Sequence, residues 1–488
     1  MTRPGEAAQW LAMVDLSTLS ADFPAASESD WRALVAKTLK DAPFDSLTRT
    51  TAEGLPIRPL YESAPAPAAF PLRPHEAERP WDIRASLAHP DPARANADLL
   101  SDLEGGAASA VVRIDPMGEY GVAVGSAQDL ARVLDGVLLE LAPIALEAGF
   151  LGAKAADWLG AAAKGSPAAL LNFHLDPLSA FAQAGESPGP IESHLISAAT
   201  VAARLADSYP KAGLFLASGR VVHEAGGGEA GELAFMLAAA LAYAKALVRA
   251  GLPLDQALGR IVLGLSADAD YFVSLAKMRA ARALWARISA ACGVTAIARI
   301  EARSSHRMLT AQDAWTNMLR LTAAAFGAAV GGTDAVVLGA FTDALGHPTA
   351  FARRQARNTQ LVLMEEAHLG RVADPAAGSG YVEALTDEIA RAAWAQFQAI
   401  EAQGGLVNAL TSGHVAAEAE KVRAGREAAG PPKIVGVTAF PPAKDAPVEV
   451  EHPPARLVSA PSTRLPGPDS RCPPLSPIRL AQAHEAAR

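Results

Sequence analysis

Cysteine is almost absent from this chain: Cys292 and Cys472 are the only two among 488 residues. No disulfide framework can be built from them, so a reducing compartment is expected and the fold must hold by packing alone. Aromatic residues make up only 6% of the chain and charged residues 19%, while apolar residues reach 50%. That leaves ample material for a large core without staples. Positive charge is also short: 43 Lys and Arg face 52 Asp and Glu, a net −9, which argues against a nucleic-acid partner. No apolar run reaches the roughly 18 to 20 residues of a membrane span, and the N-terminus lacks an apolar stretch of signal-peptide length after its single arginine. The nearest candidate, Leu233 to Ala244, is stopped by Lys245 and reads as a buried helix. A cytoplasmic protein is expected. Motifs of metal and nucleophile chemistry are missing too, with no CxxC, HExxH, nucleophile elbow or phosphate loop. GGGEAG at Gly226 to Gly231 formally matches a dinucleotide fingerprint but lacks the acidic residue downstream.

What is present is a recurring alternation of short apolar runs and helical patterns. The clearest unit spans Ser304 to Leu385. Leu309 to Ala329 has helical spacing, Gly331 and Gly332 end it, and Ala335 to Leu338 is too short to be anything but a buried strand. Pro348 is then expected to open a helix that Gly370 closes. Eight candidate strands follow the same logic: Ser109 to Asp115, Leu138 to Ile144, Ala169 to Leu175, Gly213 to Ser218, Ile261 to Ser266, Thr295 to Ala302, Ala335 to Leu338 and the weaker Arg371 to Asp374. Near-continuous apolar strands separated by helices predict a parallel sheet covered by helices, and eight of them predict an α/β fold of the (β/α)8 TIM-barrel type. An open doubly wound sheet is the runner-up.

The barrel is expected over residues 76–440. Residues 1–75 form an N-terminal arm and linker: Ser29 is placed to cap a helix with Trp31, Leu34, Val35 and Leu39 on one face, followed by an extended segment and the Pro- and Ala-rich stretch Ala64 to Pro74. Lys433 to Phe440 reads as a last strand or extended segment. Residues 441–488 carry eleven prolines, a density that predicts a linker or surface-wrapping tail. On the helix from Asp268 to Ile288, Lys277, Arg279 and Arg282 read as a solvated face, with a phosphate patch the lesser alternative.

Several long stretches, LTAQDAWTNMLRLTAAAFGAAVGGTDAV, ALGHPTAFARRQARNTQLVLMEE and DPAAGSGYVEALTDEIA, resemble in sequence and order the barrel of the adenosylcobalamin-dependent acyl-CoA mutases, the methylmalonyl-CoA mutases above all. The resemblance implies a cobalt-binding histidine in an Asp-x-His-x-x-Gly motif, yet none of the eleven histidines has Asp two residues before it. It implies a histidine acid over the thioester carbonyl in SGYHxxEAG, where this chain reads SGRVVHEAG, with Arg220 at the aromatic and Val221 at the acid. It implies a radical-steering tyrosine at Ser86, a cofactor-facing glutamine at Arg303 and a histidine at Val337. Valine can neither donate a proton nor hydrogen-bond a thioester. The chain therefore resembles the small, non-catalytic subunits of heterodimeric members, whose homologous large subunit holds the adenosylcobalamin and interconverts methylmalonyl-CoA and succinyl-CoA. No cofactor, metal or catalytic residue is expected on this chain, and the N-terminal arm is expected at a subunit contact, with an arm folded on its own barrel as the alternative.

The alternative is a catalytic barrel that takes its cobalamin domain from a separate chain, with His223 or Glu224 as a displaced acid. A hydrogen-bonded structural role is the plainer reading of His223. A filled barrel axis near Ser86 and Val221 would mark the scaffold, and an open cavity wide enough for a CoA chain would mark the enzyme. A stand-alone, cobalamin-independent barrel enzyme is a third reading, for which the sequence offers no convergent acid/base set.

Overall fold

In a computed structural model, residues 26–62, 64, 70–74, 76, 78–166, 168–458, 467 and 470–486 are described. Parts of the expected linker and tail lie outside these. The chain falls into two compact units, one running to Thr51 with Pro56–Leu60, the other comprising Ala52–Leu55 and everything from Tyr61.

In the first unit, the helix Glu28–Leu39 is capped by Ser27, not Ser29. The Ser27 side chain accepts from the Asp30 N–H while the Asp30 carboxylate accepts from the Ser27 N–H, the reciprocal arrangement of a capping box. Trp31 meets Phe44 edge-on at 5.7 Å, and Arg49–Thr50 pairs antiparallel with Pro56–Ile57.

In the second unit eight parallel strands close on themselves. They are β1 (Asp82–Leu87), β2 (Ser109–Arg113), β3 (Ile144–Glu147), β4 (Leu171–Leu175), β5 (Gly213–Ser218), β6 (Ile261–Ala267), β7 (Arg299–Ser304) and β8 (Ala335–Val337). Closure runs through β8, whose Ala335 pairs with Asp82 of β1 and Glu301 of β7. Strands such as β5 and β6 are buried along their whole length, because helices cover one face and the barrel interior the other. That double burial is why they read as unbroken apolar runs.

The helices start where short polar side chains can take up orphan N–H groups. Asp91 accepts from Ala93 ahead of Pro92, Asp176 from Ser179 ahead of Pro177, and Asp270 from Val273. The apolar helix Glu229–Arg249 is long enough by composition to cross a membrane. It is instead mostly buried, packed on β5 and on the helix Gly380–Ala402.

Several expectations are corrected. The barrel takes Asp82–Leu87 as its first strand, and Arg371–Asp374 is a bend outside the sheet, since β8 already closes onto β1 and leaves no open edge. The strand expected from Leu138 begins only at Ile144, after Pro143, and Leu138 and Leu141 are exposed. The strand expected from Thr295 begins at Arg299. The helix expected from Leu309 begins at Asn317, and the helix expected to open at Pro348 begins two residues later, at Ala350, with Thr349 as its cap. Lys433 to Phe440 makes turns, with positive φ at Gly436 and Phe440.

Lys277, Arg279 and Arg282 are neither solvated nor a phosphate patch. They are at most 2% exposed, paired with Glu232, with Asp374 and Glu383, and with Asp334. The tail wraps the barrel. Leu475 N–H donates to Ala182 O, Ile478 N–H to Glu224 O and Leu480 N–H to Arg307 O, and Glu451 pairs with His347 in a two-residue bridge.

Candidate functional site

At the C-terminal ends of the strands lies a cavity of about 1020 Å³, at the upper end of the size of small-molecule sites. Ser86, Val221, Arg303 and Val337, which come from four separate strand ends, all line it. Val221 is 8% and Val337 1% exposed. Val337 also packs with Val111 and Ala145 in a small apolar cluster of its own. The barrel axis near Ser86 and Val221 is therefore not filled, the outcome that marks a catalytic barrel and not a scaffold. The cavity is open, but its floor is crossed by a chain of ion pairs, with Arg84 2.5 Å from Glu301 and Arg303 2.5 Å from Glu147. Burial opposes ionisation of Glu147, and Arg303 and Arg113 overcome it, holding the carboxylate well below the usual range.

The two proposed stand-in acids behave differently. His223 does not line the cavity. It is 0% exposed, with Nε2 2.9 Å from Ser305 Oγ and 3.3 Å from Asp268, and Nδ1 3.3 Å from Glu232. It is the centre of a sealed network that also includes Lys277 and Arg307. Glu224 does line the cavity, but its carboxylate accepts from the backbone N–H groups of His306 (3.3 Å) and Arg307 (3.0 Å), so it holds the turn after β7.

Four lining residues escaped the sequence reading: Glu147, His174, Asp176 and Asp343. Their only signal is position, at or just beyond strand C-terminal ends, where barrels place functional groups. His174 sits in β4 at φ +47, beside a register shift between Asn172 and Leu175. Its ring nitrogens are buried without hydrogen-bond partners, and burial pulls its pKa down to about 4, so the ring is neutral. Asp176 is pushed up to about 7 by burial, opposed by hydrogen bonds from Tyr243 and Ser179. Burial likewise raises Asp343 to about 7, although its Oδ2 accepts from Ala340 N–H.

The glycines of GGGEAG have a structural explanation. A Cβ on Gly228 would lie 2.0 Å from the Glu53 carboxyl carbon, and that carboxylate accepts from the N–H groups of Ala230 and Gly231 at the start of the long helix. A side chain of the chain itself takes the anion position a dinucleotide would need.

Of the histidines the sequence reading or the burial pattern singles out, neither is free to bind cobalt. His223 is engaged by Ser305, Asp268 and Glu232, the His174 nitrogens are covered, and among the described residues no three His, Cys, Asp or Glu side chains gather as metal ligands.

Fold and site together define a (β/α)8 barrel of the enzyme type, with a ligand-sized cavity at the strand ends. The family model for methylmalonyl-CoA mutase matches residues 73–464, and the chain belongs to that family of adenosylcobalamin-dependent isomerases. A methylmalonyl-CoA mutase small subunit of Streptomyces virginiae is 40% identical, covering 90% of this chain and 74% of that protein. One from Propionibacterium freudenreichii subsp. shermanii is 35% identical, covering 87% and 70%. A methylmalonyl-CoA mutase of Cereibacter sphaeroides is 32% identical, covering 86% and 65%. The chain spans 62% of the probable small subunit of Mycobacterium bovis, at 40% identity.

Proposed function

We propose that this chain is the small, non-catalytic subunit of a cytoplasmic methylmalonyl-CoA mutase. A homologous large subunit holds the adenosylcobalamin and interconverts methylmalonyl-CoA and succinyl-CoA. The observation that carries the reading is convergence. Ser86, Val221, Arg303 and Val337 line one cavity, so the groups the family uses to protonate and confine its substrate are replaced together in one place. The small-subunit names of its relatives support the same division of labour.

Purified chain supplied with adenosylcobalamin and methylmalonyl-CoA is expected to give no succinyl-CoA. Co-purification with the large subunit is expected to give an active heterodimer. Turnover by the isolated chain would overturn the reading.

One observation favours a second reading, a catalytic barrel served by a cobalamin domain on another chain: the cavity is open and carries Asp176 and Asp343, both raised to about 7, a range suited to proton transfer. Both carboxyls are already engaged in holding local structure, which weakens it. Activity on adding a separate cobalamin-binding domain, abolished by Asp343→Asn, would select this alternative.

A further inference from the structure

The tail segment 445–458 runs along the rim of the barrel, tied to the loops after four consecutive strands of the closed sheet. Beyond β7, the Asp313 N–H donates to the Asp445 carboxylate (3.2 Å) and the Trp315 indole N–H to the Pro447 carbonyl (3.3 Å). Beyond β8, His347 and Glu451 exchange both backbone hydrogen bonds (3.0 and 2.9 Å). Beyond β1, the Glu451 carboxylate pairs with Arg94 (3.0 Å) and Arg456 with Asp91 (3.2 Å). Beyond β2, the Val458 N–H donates to Pro116 O (2.9 Å). Yet no residue of 445–458 is buried, so the segment is held by hydrogen bonds and ion pairs with little apolar burial, the composition of a locally opening element.

Its middle docks among imidazoles. The His89 and His347 rings meet edge-on at 6.2 Å. His89 Nε2 lies 3.9 Å from the Glu451 carboxylate, while its Nδ1 accepts from the Asp91 N–H (3.1 Å). A Cβ on Gly346 would lie 2.9 Å from the His452 ring, so the rim loop admits that imidazole by having no side chain there. Three imidazoles thus surround one carboxylate that Arg94 already engages.

Added positive charge is poorly received at this spot. Burial lowers the pKa of His347 below its ordinary value, His89, His452 and Arg113 lower it further, and Glu451 opposes them. A proton on His89 Nδ1 displaces the hydrogen bond from Asp91. Other charges on the elements packed here are matched locally, with Arg94 and Arg353 both on Asp98 and Arg456 on Asp91. A histidine whose pKa is lowered in the docked state takes up its proton preferentially when the segment is off. Docking is therefore complete above the ordinary imidazole range and weakens as pH falls through about 6.5.

We propose that residues 445–458 form a pH-sensitive strap, docked over the loops after β7, β8, β1 and β2 at neutral pH and released when His347 and His89 take up protons. Release leaves the rest of the tail in place, because residues 472–480 are anchored separately on Gly185, Ala182, Glu224 and Arg307. It frees the loops that carry His89 and His347. The proposal stands whether or not the chain is catalytic.

The test is hydrogen exchange of the full chain, read by mass spectrometry at pH 7.5 and 5.5 with rates corrected for the intrinsic effect of pH on exchange. Each histidine kept neutral by docking weakens docking by up to about ten-fold at pH 5.5, so peptides containing Glu451 and Val458 are expected to lose protection by at least about three-fold. Peptides from 472–480 are expected to keep theirs. In the double variant His89→Gln, His347→Gln the loss at the strap is expected to shrink below about two-fold. If the double variant does not fold, His347→Gln alone is expected to show a smaller loss than the wild type. Equal protection of the strap at both pH values, an equal loss at 472–480, or an undiminished loss in the variant overturns the proposal.

Discussion

Among single residues, the most instructive is Lys277. Its ammonium is 2.5 Å from Glu232, whose carboxylate also accepts from the Ser266 N–H, and both side chains are sealed from water. Removing one partner strands a buried charge, so Lys277→Met is expected to cost about 3 to 5 kcal/mol in denaturant unfolding. Burial opposes ionisation of Glu232, but Lys277 and His223 together lower its pKa to about 2. A carboxylate depressed in the folded state contributes stability above its unfolded pKa and loses it as pH falls through the folded one. Wild-type stability is therefore expected to decline between roughly pH 4.5 and 2 from this group, a slope that should flatten in Lys277→Met when unfolding is followed against pH. Nothing in the local sequence announces this pair. Lys277, Arg279 and Arg282 sit among alanines at mixed spacing, and their acids lie on other elements, so a solvated face was the natural inference from one helix read alone.

At the level of elements, the turn after β5 shows how closely backbone is packed around the site. A Cβ on Gly219 would lie 2.1 Å from the carbonyl oxygen of Glu232, and neither backbone can yield without moving a strand or a long helix. Gly219→Ala is expected to lower the melting temperature sharply or abolish soluble expression. Gly259, which ends the helix Leu254–Gly259 and has open space around it, is the control. Gly259→Ala should be neutral or stabilise by about 0.4 to 1 kcal/mol in the same assay. Strands flanked by helices on both sides were legible because double burial writes itself as an apolar run. β1 was not, because Asp82, Arg84 and Ser86 interrupt it, and Arg84 finds its closest partners on other strands, Ser109 on the adjacent β2 and Glu301 across the closed barrel. Arg371–Asp374 misled for the opposite reason: it has strand-like composition but no edge to join. The replaced positions were readable through family motifs, whereas Glu147, His174 and Asp343 were not, since each becomes part of a cavity only when distant strand ends meet.

Across the whole molecule, the proline-rich C-terminal segment is a structural part of the barrel. Leu475 is 3% exposed and both it and Pro477 line the cavity, while Glu485 accepts from the Ala311 N–H and pairs with Arg479. Leu475→Ala is expected to cost about 2 to 4 kcal/mol. Limited proteolysis should spare residues 470–486 in the wild type and cut there first in the variant. A proline density like this one predicts a tail with no core of its own. It is silent on where the tail goes, because many of its anchors are backbone hydrogen bonds that leave no mark on side-chain pattern, and side chains such as Leu475 and Glu485 meet partners far away in the sequence.

Those anchors tie Ile478 to Glu224 and Leu480 to Arg307, and Glu224 in turn braces the backbone of His306 and Arg307. Residues 478–480 thus close over the turns that follow β5 and β7, so the wall beside Val221 is built from three stretches of chain more than eighty residues apart, and none of the three can be exchanged alone without disturbing the other two.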